Sequence, residues 1–244
     1  MRTKLLTLLS LLLLVFTTSC SFTENITINE DGTGSLSLDM DASELMAMAG
    51  DEIAKKGEKK IDSTLSFKEL MAAHRDSIAK LPEEDRERLK ALENFSIKML
   101  MDPENQKFSF SLLSDFRKIE ELSDLMESFA KAGPMNEKKP EGMPDFGFDK
   151  YRTDSKYTFN GRKFTKIVSR KQDIPDAEGE NMEMVKGMLQ SSTYTLNYKF
   201  PRKVKSVSNK NAVMSADKKT VTIVYPFLDY IDRPEAMSIE IEFE

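Results

Sequence analysis

The sequence predicts an α+β fold, an antiparallel sheet of hairpins with several amphipathic helices packed on one face. Three observations lead there. Most candidate strands alternate apolar and polar residues, as in Ile239-Glu240-Ile241-Glu242-Phe243, the pattern of strands with one buried and one wet face. Turn signals such as Asp31-Gly32 and Asn160-Gly161 stand between these runs. Segments with a single apolar stripe at helical spacing separate the hairpins and would cover the sheet.

Taken in order, Thr23 to Asn29 places Ile26 and Ile28 on one face, and Ser35 to Asp41 places Leu36, Leu38 and Met40 on one face. With Asp31-Gly32 between them they read as a hairpin. Asp41, with Glu44 three residues on, suits the cap of a helix over about 42–56, with Leu45, Met46, Ala49 and Ile53 inward. Ser66-Phe67-Lys68-Glu69 is a capping box that opens a second helix, and Pro82 with Glu83, Glu84 and Asp85 opens a third, ending near Glu93. Phe95 to Met101 and Lys107 to Leu112 alternate around the turn Asp102-Pro103-Glu104-Asn105 and form a second hairpin. A helix over about 115–131 follows, with Phe116, Ile119, Leu122, Met126 and Phe129 inward and Gly133-Pro134 as its stop.

Residues 134–150 are rich in Pro and Gly without periodicity and read as a loop or linker. Tyr157 and Phe159 run into Asn160-Gly161, and Phe164 to Arg170 returns. A weak helix is expected near 181–190. The last third is β-rich, with strands at Thr193–Phe200, Val221–Tyr225 and Ser238–Glu244.

The chain has 244 residues, enough for one or two domains with a sizeable core. The expected organisation is a signal segment at 1–19, a lipidated N-terminus and short tether at 20–25, and one α+β domain at 26–244 with a possible subdivision near 134–155. Thirty-six basic against 41 acidic residues give a net charge of −5. Nucleic-acid binding, which rests on clustered cations that neutralise phosphates, is not expected. One Cys rules out an internal disulfide, and one His rules out a multi-histidine metal site.

The first twenty residues carry the sharpest signal. Arg2 and Lys4 are basic, no acidic residue precedes Glu24, and Leu5 to Phe16 is a twelve-residue, predominantly apolar run. That length is short of the roughly 20 residues a bilayer span needs and suits the core of a secretory signal. Phe16-Thr17-Thr18-Ser19-Cys20 follows, ending on the only Cys of the chain. The stretch resembles a bacterial lipoprotein signal of the Bacteroidetes type, with Thr17 in place of the usual Leu. The resemblance implies export, a diacylglycerol thioether on Cys20, and cleavage before it. Loss of Arg2 and Lys4 would leave 34 basic against 41 acidic residues, a net charge of about −7. Ser21-Phe22-Thr23-Glu24 lacks the acidic cluster associated with surface export in that group, which places the protein at the outer membrane, facing the periplasm.

Few residues beyond Cys20 point to chemistry. His74 sits among Phe67, Leu70, Met71 and Ile78 at helical spacing and reads as a core or boundary histidine. Met46-x-Met48, Met99-x-Met101 and Met182-x-Met184 have the soft sulfur that Cu(I) favours, but read as core filling. Asp31-Gly32-Thr33-Gly34 reads as a turn, and Asp39-x-Asp41 lacks calcium-loop spacing. No phosphate loop, dinucleotide fingerprint or nucleophile elbow is present. No catalytic residue, metal or cofactor is assigned, and no enzymatic activity is expected.

The Ile26-x-Ile28-x-x-Asp31-Gly32-x-Gly34 hairpin, the Phe200-Pro201-x-x-Val204 strand end and the strands from Val221 to Phe243 resemble uncharacterised LppM-like envelope lipoproteins. No agreed activity comes with that resemblance. The expected function is a membrane-anchored envelope lipoprotein acting as an interaction or binding module. Its partners are the membrane, through the N-terminal lipid, and an envelope protein or lipid ligand. A carrier of lipid or another apolar ligand is the first alternative, and an envelope-polymer hydrolase the second.

Overall fold

The computed structural model of the protein describes residues 20–44, 46–47, 60–123, 153–170, 186–187 and 189–244. The signal segment, most of the helices expected at 42–56 and 181–190, and the Pro/Gly-rich stretch at 134–150 lie outside them.

Among the described residues twelve strands form two sheets. The larger runs in the order β10-β11-β8-β1-β2-β5-β4-β3. Its members are β1 (Ser21–Ile28), β2 (Gly34–Asp41), β3 (Ile61–Ser66), β4 (Phe95–Asp102), β5 (Lys107–Phe116), β8 (Thr193–Lys199), β10 (Val213–Met214) and β11 (Thr220–Pro226). The smaller runs β6-β7-β12-β9, from β6 (Thr153–Phe159), β7 (Lys163–Arg170), β9 (Val204–Val207) and β12 (Ile239–Phe243).

The strand alternation determines which face of each sheet is apolar. Ile26, Ile28, Leu36, Leu196, Tyr198, Val221 and Ile223 point inward from the large sheet. Phe164, Val168, Val204, Ile239, Ile241 and Phe243 meet them from the small one. The rings interlock edge-on, with Phe164 centred 5.4 Å from Tyr198 and 5.3 Å from Phe200. Such pairs contribute about 0.5–1.5 kcal/mol each beyond their buried area. In this region side chains fill the space between the sheets, where the carrier alternative would place an apolar cavity.

This corrects the expected fold class. The large sheet is covered mainly by a second sheet, and helices are minor. Among the described residues they include α1 (Phe67–Ala73), α2 (Arg75–Ile78), α3 (Glu83–Ala91) and α4 (Phe227–Asp232), four to nine residues long. Ser66 caps α1, its Oγ accepting from the Glu69 N–H, which is one half of the predicted capping box, but α1 buries only Phe67. Phe67 joins Leu92, Phe95 and Leu112 in a small satellite core at the β3–β4–β5 end of the sheet. The reason for the difference is physical: alternation shows that one face of a strand is buried and says nothing about what buries it. The helix expected over 115–131 gives way at its start to β5, which stays paired with β2 as far as Phe116 opposite Gly34.

The turns form where glycine allows them. Gly32 has φ +84° and Gly161 has φ +78°, both in the left-handed region that disfavours other residues. The Asp31 carboxylate accepts from the Thr33 N–H at 3.0 Å and the Thr33 hydroxyl at 2.7 Å, which makes this segment a hairpin turn. Gly34 serves a different purpose. A Cβ there would run into the Thr27 carbonyl and the Phe116 ring, so the ring packs directly over bare backbone.

Residues 20–25, expected as a tether, are part of the fold. The Cys20 carbonyl accepts from the Thr193 N–H at 3.2 Å, and β1 starts at the next residue. Strand β1 then runs antiparallel to β2 and parallel to β8, with Ile26 opposite both Leu36 and Tyr198.

Candidate functional site

Three constellations stand out. The first is enclosed between the sheets. Glu24 shares the inward face of β1 with Ile26 and Ile28, and Lys166 shares the inward face of β7 with Phe164 and Val168. Each side chain is 3% exposed, and Lys166 Nζ lies 2.6 Å from Glu24 Oε2. Three tyrosines complete the carboxylate's shell. Tyr194 donates to Oε2 at 2.9 Å, while Tyr198 and Tyr157 donate to Oε1 at 2.6 and 3.1 Å. Lys166 also donates to the Tyr198 hydroxyl at 3.2 Å and lies over the Tyr157 ring. Tyr230 stacks on Tyr194 at 5.1 Å.

The electrostatics follow from this geometry. Burial pushes the Glu24 pKa up, but the Lys166 ammonium and the hydrogen bonds from Lys166, Tyr198 and Tyr194 outweigh it and hold the carboxyl below its ordinary range. Burial, reinforced by the Glu24 charge, raises Tyr157, Tyr194 and Tyr198 well above the usual phenol value. Every oxygen of the carboxylate is engaged, so the cluster joins the two sheets and offers no group to a substrate. Sequence reasoning missed it. The available signal was a charged residue at inward parity in each of two strands, Glu24 beside Ile26 and Lys166 beside Phe164.

The second constellation is a groove of about 330 Å³ on the opposite, solvent-facing side of the large sheet. It crosses four adjacent strands and is lined by Asn25 and Thr27 of β1, Ser35, Leu36 and Ser37 of β2, Leu113, Ser114 and Asp115 of β5, and Asn94 and Ser96 at the start of β4. The register lines these residues up in rows. Thr27, Ser35 and Asp115 are successive partners, as are Asn25, Ser37, Leu113 and Ser96. One wall is fixed by a polar ladder. Asn25 Nδ2 donates to Ser37 Oγ at 3.0 Å and to Asp39 Oδ2 at 2.7 Å. Asn197 Nδ2 donates to Asn25 Oδ1 at 2.9 Å, and the Thr222 hydroxyl donates to Asn197 Oδ1 at 3.1 Å. Asp39, weighed from sequence as a cation ligand with Asp41, is thus tied into this ladder.

The third is the environment of Cys20. Its side chain is 4% exposed and packs with Ala42, Leu189, Phe227 and Ile231, at the end of the sheet where α4 begins. Burial, with the nearby Glu44 and Asp41 charges, raises the thiol pKa. Ser192 Oγ is fully buried beside it without a nitrogen or oxygen partner among the described residues.

The other sequence candidates disperse. His74 is exposed and ends α1, so it is neither core nor part of a cluster. Met99 and Met101 are half-buried on β4 opposite Phe110 and Phe108, while Met48, Met182 and Met184 lie outside the described residues. Among the described residues no three His, Cys, Asp or Glu side chains gather as metal ligands, and no helix is long and apolar enough to cross a membrane.

No protein-family description and no curated protein matches the chain. Among solved structures, the NMR structure of the folded domain of Mycobacterium tuberculosis LppM is similar over 92% of this chain and 89% of that one, at 11% sequence identity and a TM-score of 0.40.

Proposed function

We propose that the protein is a lipid-anchored lipoprotein of the cell envelope, held at the periplasmic face of the outer membrane, whose folded domain acts without catalysis as a binding module. The N-terminal signal ending at Cys20 motivates the anchor. The observation that carries the binding role is the groove across β1, β2, β5 and β4. Its volume is in the range of ligand sites, it is preformed by sheet backbone, and its lining mixes hydroxyl, carboxamide and carboxylate groups with the apolar Leu36 and Leu113. A single carboxylate, Asp115, lines it, whereas glycoside hydrolysis of the usual kind uses a pair on either side of the bond. The strongly perturbed groups, Glu24 and its tyrosines, are sealed on the other face of the sheet and serve to hold it.

Two experiments test this reading. Cells fed labelled fatty acid should label the wild-type chain and fail to label Cys20→Ala; equal labelling removes the anchor. A photo-crosslinking residue at Ser35 or Leu113 should capture envelope components that the same residue at Ile167, exposed on the small sheet, does not. Identical capture from both sheets would refute a binding role for the groove.

A further inference from the structure

We infer that the groove takes a neutral saccharide chain. This rests on the proposed binding role and names the ligand class. The argument begins with what the groove can offer. It lies in the middle of the eight-stranded sheet, whose edges are β3 and β10, so the backbone groups of β1, β2, β5 and β4 are already paired. A peptide cannot add to it as a strand, since that mode needs a free edge. Recognition must come from side chains, and these are mainly hydroxyls and carboxamides, with one carboxylate and the apolar Leu36 and Leu113.

The lining contains no cation and one carboxylate, with Asp39 close behind the ladder. Phosphate and other anions find no counter-charge there. A lipid tail would desolvate hydroxyls and amides without replacing their hydrogen bonds, a cost of roughly 1–3 kcal/mol for each group left unpaired.

A sugar chain fits on each point. Asn25 and Ser37 are locked in the ladder and form a fixed wall. Ser35, Asn94, Ser96 and Asp115 form no hydrogen bond with other described side chains and are left to bind. A carboxylate accepts from two neighbouring hydroxyls at once, and a carboxamide both donates and accepts, which matches vicinal diols. Leu113, 36% exposed, supplies an apolar patch for the C–H face of a pyranose. Four strands at about 4.8 Å spacing give a floor about 14 Å across, so the site holds an oligomer rather than one ring.

The test uses the full, lipidated chain in nanodiscs of phosphatidylethanolamine and phosphatidylglycerol, which carry no sugar. Saturation-transfer NMR with tetraacetylchitotetraose and with maltotetraose should show transfer to at least one of them. Asp115→Ala and Asn94→Ala, both at exposed positions outside the core, should each weaken binding at least tenfold, and Leu113→Arg should abolish it. Dextran sulfate should not compete. Absence of transfer from both sugars at millimolar concentration overturns the inference, as does binding unchanged in all three variants or competition by the polyanion. If sugars fail but crosslinking from Ser35 and Leu113 still captures envelope components, the ligand class is wrong and the binding role stands. Failure of both removes both.

Discussion

Replacing Lys166 by Met tests the account of the buried cluster most directly. Met keeps the length and apolar stem of Lys and removes only its charge and its hydrogen bonds. Glu24 would then sit 3% exposed between two sheets with three phenol donors and no cation. Removing one partner of a buried ion pair costs about 3–5 kcal/mol, because the remaining charge is uncompensated. For a chain of this size each kcal/mol shifts Tm by about 2–4 °C, so the expected fall is about 6–20 °C.

The sign of the pH dependence sharpens this prediction. In the wild type the Glu24 pKa is lowered, so its contribution is complete above the unfolded carboxyl value and is lost as pH falls through the folded value. In Lys166→Met burial dominates and the Glu24 pKa rises, so protonation relieves the strain. The variant should therefore be less destabilised, relative to wild type, at pH 4 than at pH 7. The double variant Glu24→Gln/Lys166→Met should cost at least 2 kcal/mol less than the sum of the singles, roughly the coupling expected of groups in one network. Urea unfolding followed by far-ultraviolet circular dichroism measures all of this. A cost below about 1 kcal/mol at pH 7, with no improvement in acid, would refute the idea that the pair is a desolvated clamp.

Two further outcomes follow from the same packing. Gly34→Ala should destabilise by about 1–3 kcal/mol, since its methyl meets the Thr27 carbonyl, which the hairpin holds in place, as well as the more yielding Phe116 ring; unfolding midpoints of Gly34→Ala and of Gly34→Ala/Phe116→Leu would show only partial rescue. On the alkaline side, Tyr157, Tyr194 and Tyr198 have raised pKa values, so their contribution is complete below the ordinary phenol value and is lost as pH rises above it. Phenolate absorbance from these three should rise together with loss of circular dichroism rather than before it, and early, independent ionisation would show that they are not sealed.

Much of the strand content was legible in the sequence. The β1–β2 hairpin, the β4–β5 hairpin, the Asn160-Gly161 turn and the strands β8, β11 and β12 all announce themselves by period-two alternation or by a glycine turn. Strand β3 was missed because Ile61–Ser66 is an exposed edge, where burial does not impose a pattern. The covering role expected of the helices does not hold for α1, which buries Phe67 alone, because an apolar stripe at helical spacing does not say what the stripe packs against. The site was less legible than the fold. Glu24 and Lys166 are visible in sequence only as breaks in two inward-facing series, and the groove only as polar outward positions on four strands.

By itself, the sequence determined the local quantities: which residues alternate, where glycine turns the chain, the polar outer faces, and the basic, apolar, Cys-terminated N-terminal stretch. Tertiary structure alone decided what those faces meet. It placed a second sheet where helices were expected, brought Glu24 within 2.6 Å of Lys166, 142 residues away, and set β1 parallel to β8 so that Asn25 meets Asn197 across 172 residues. Periodicity is a property of neighbours a few residues apart. Pairing between distant strands is selected by the burial of whole faces together, and no short window of sequence contains that sum.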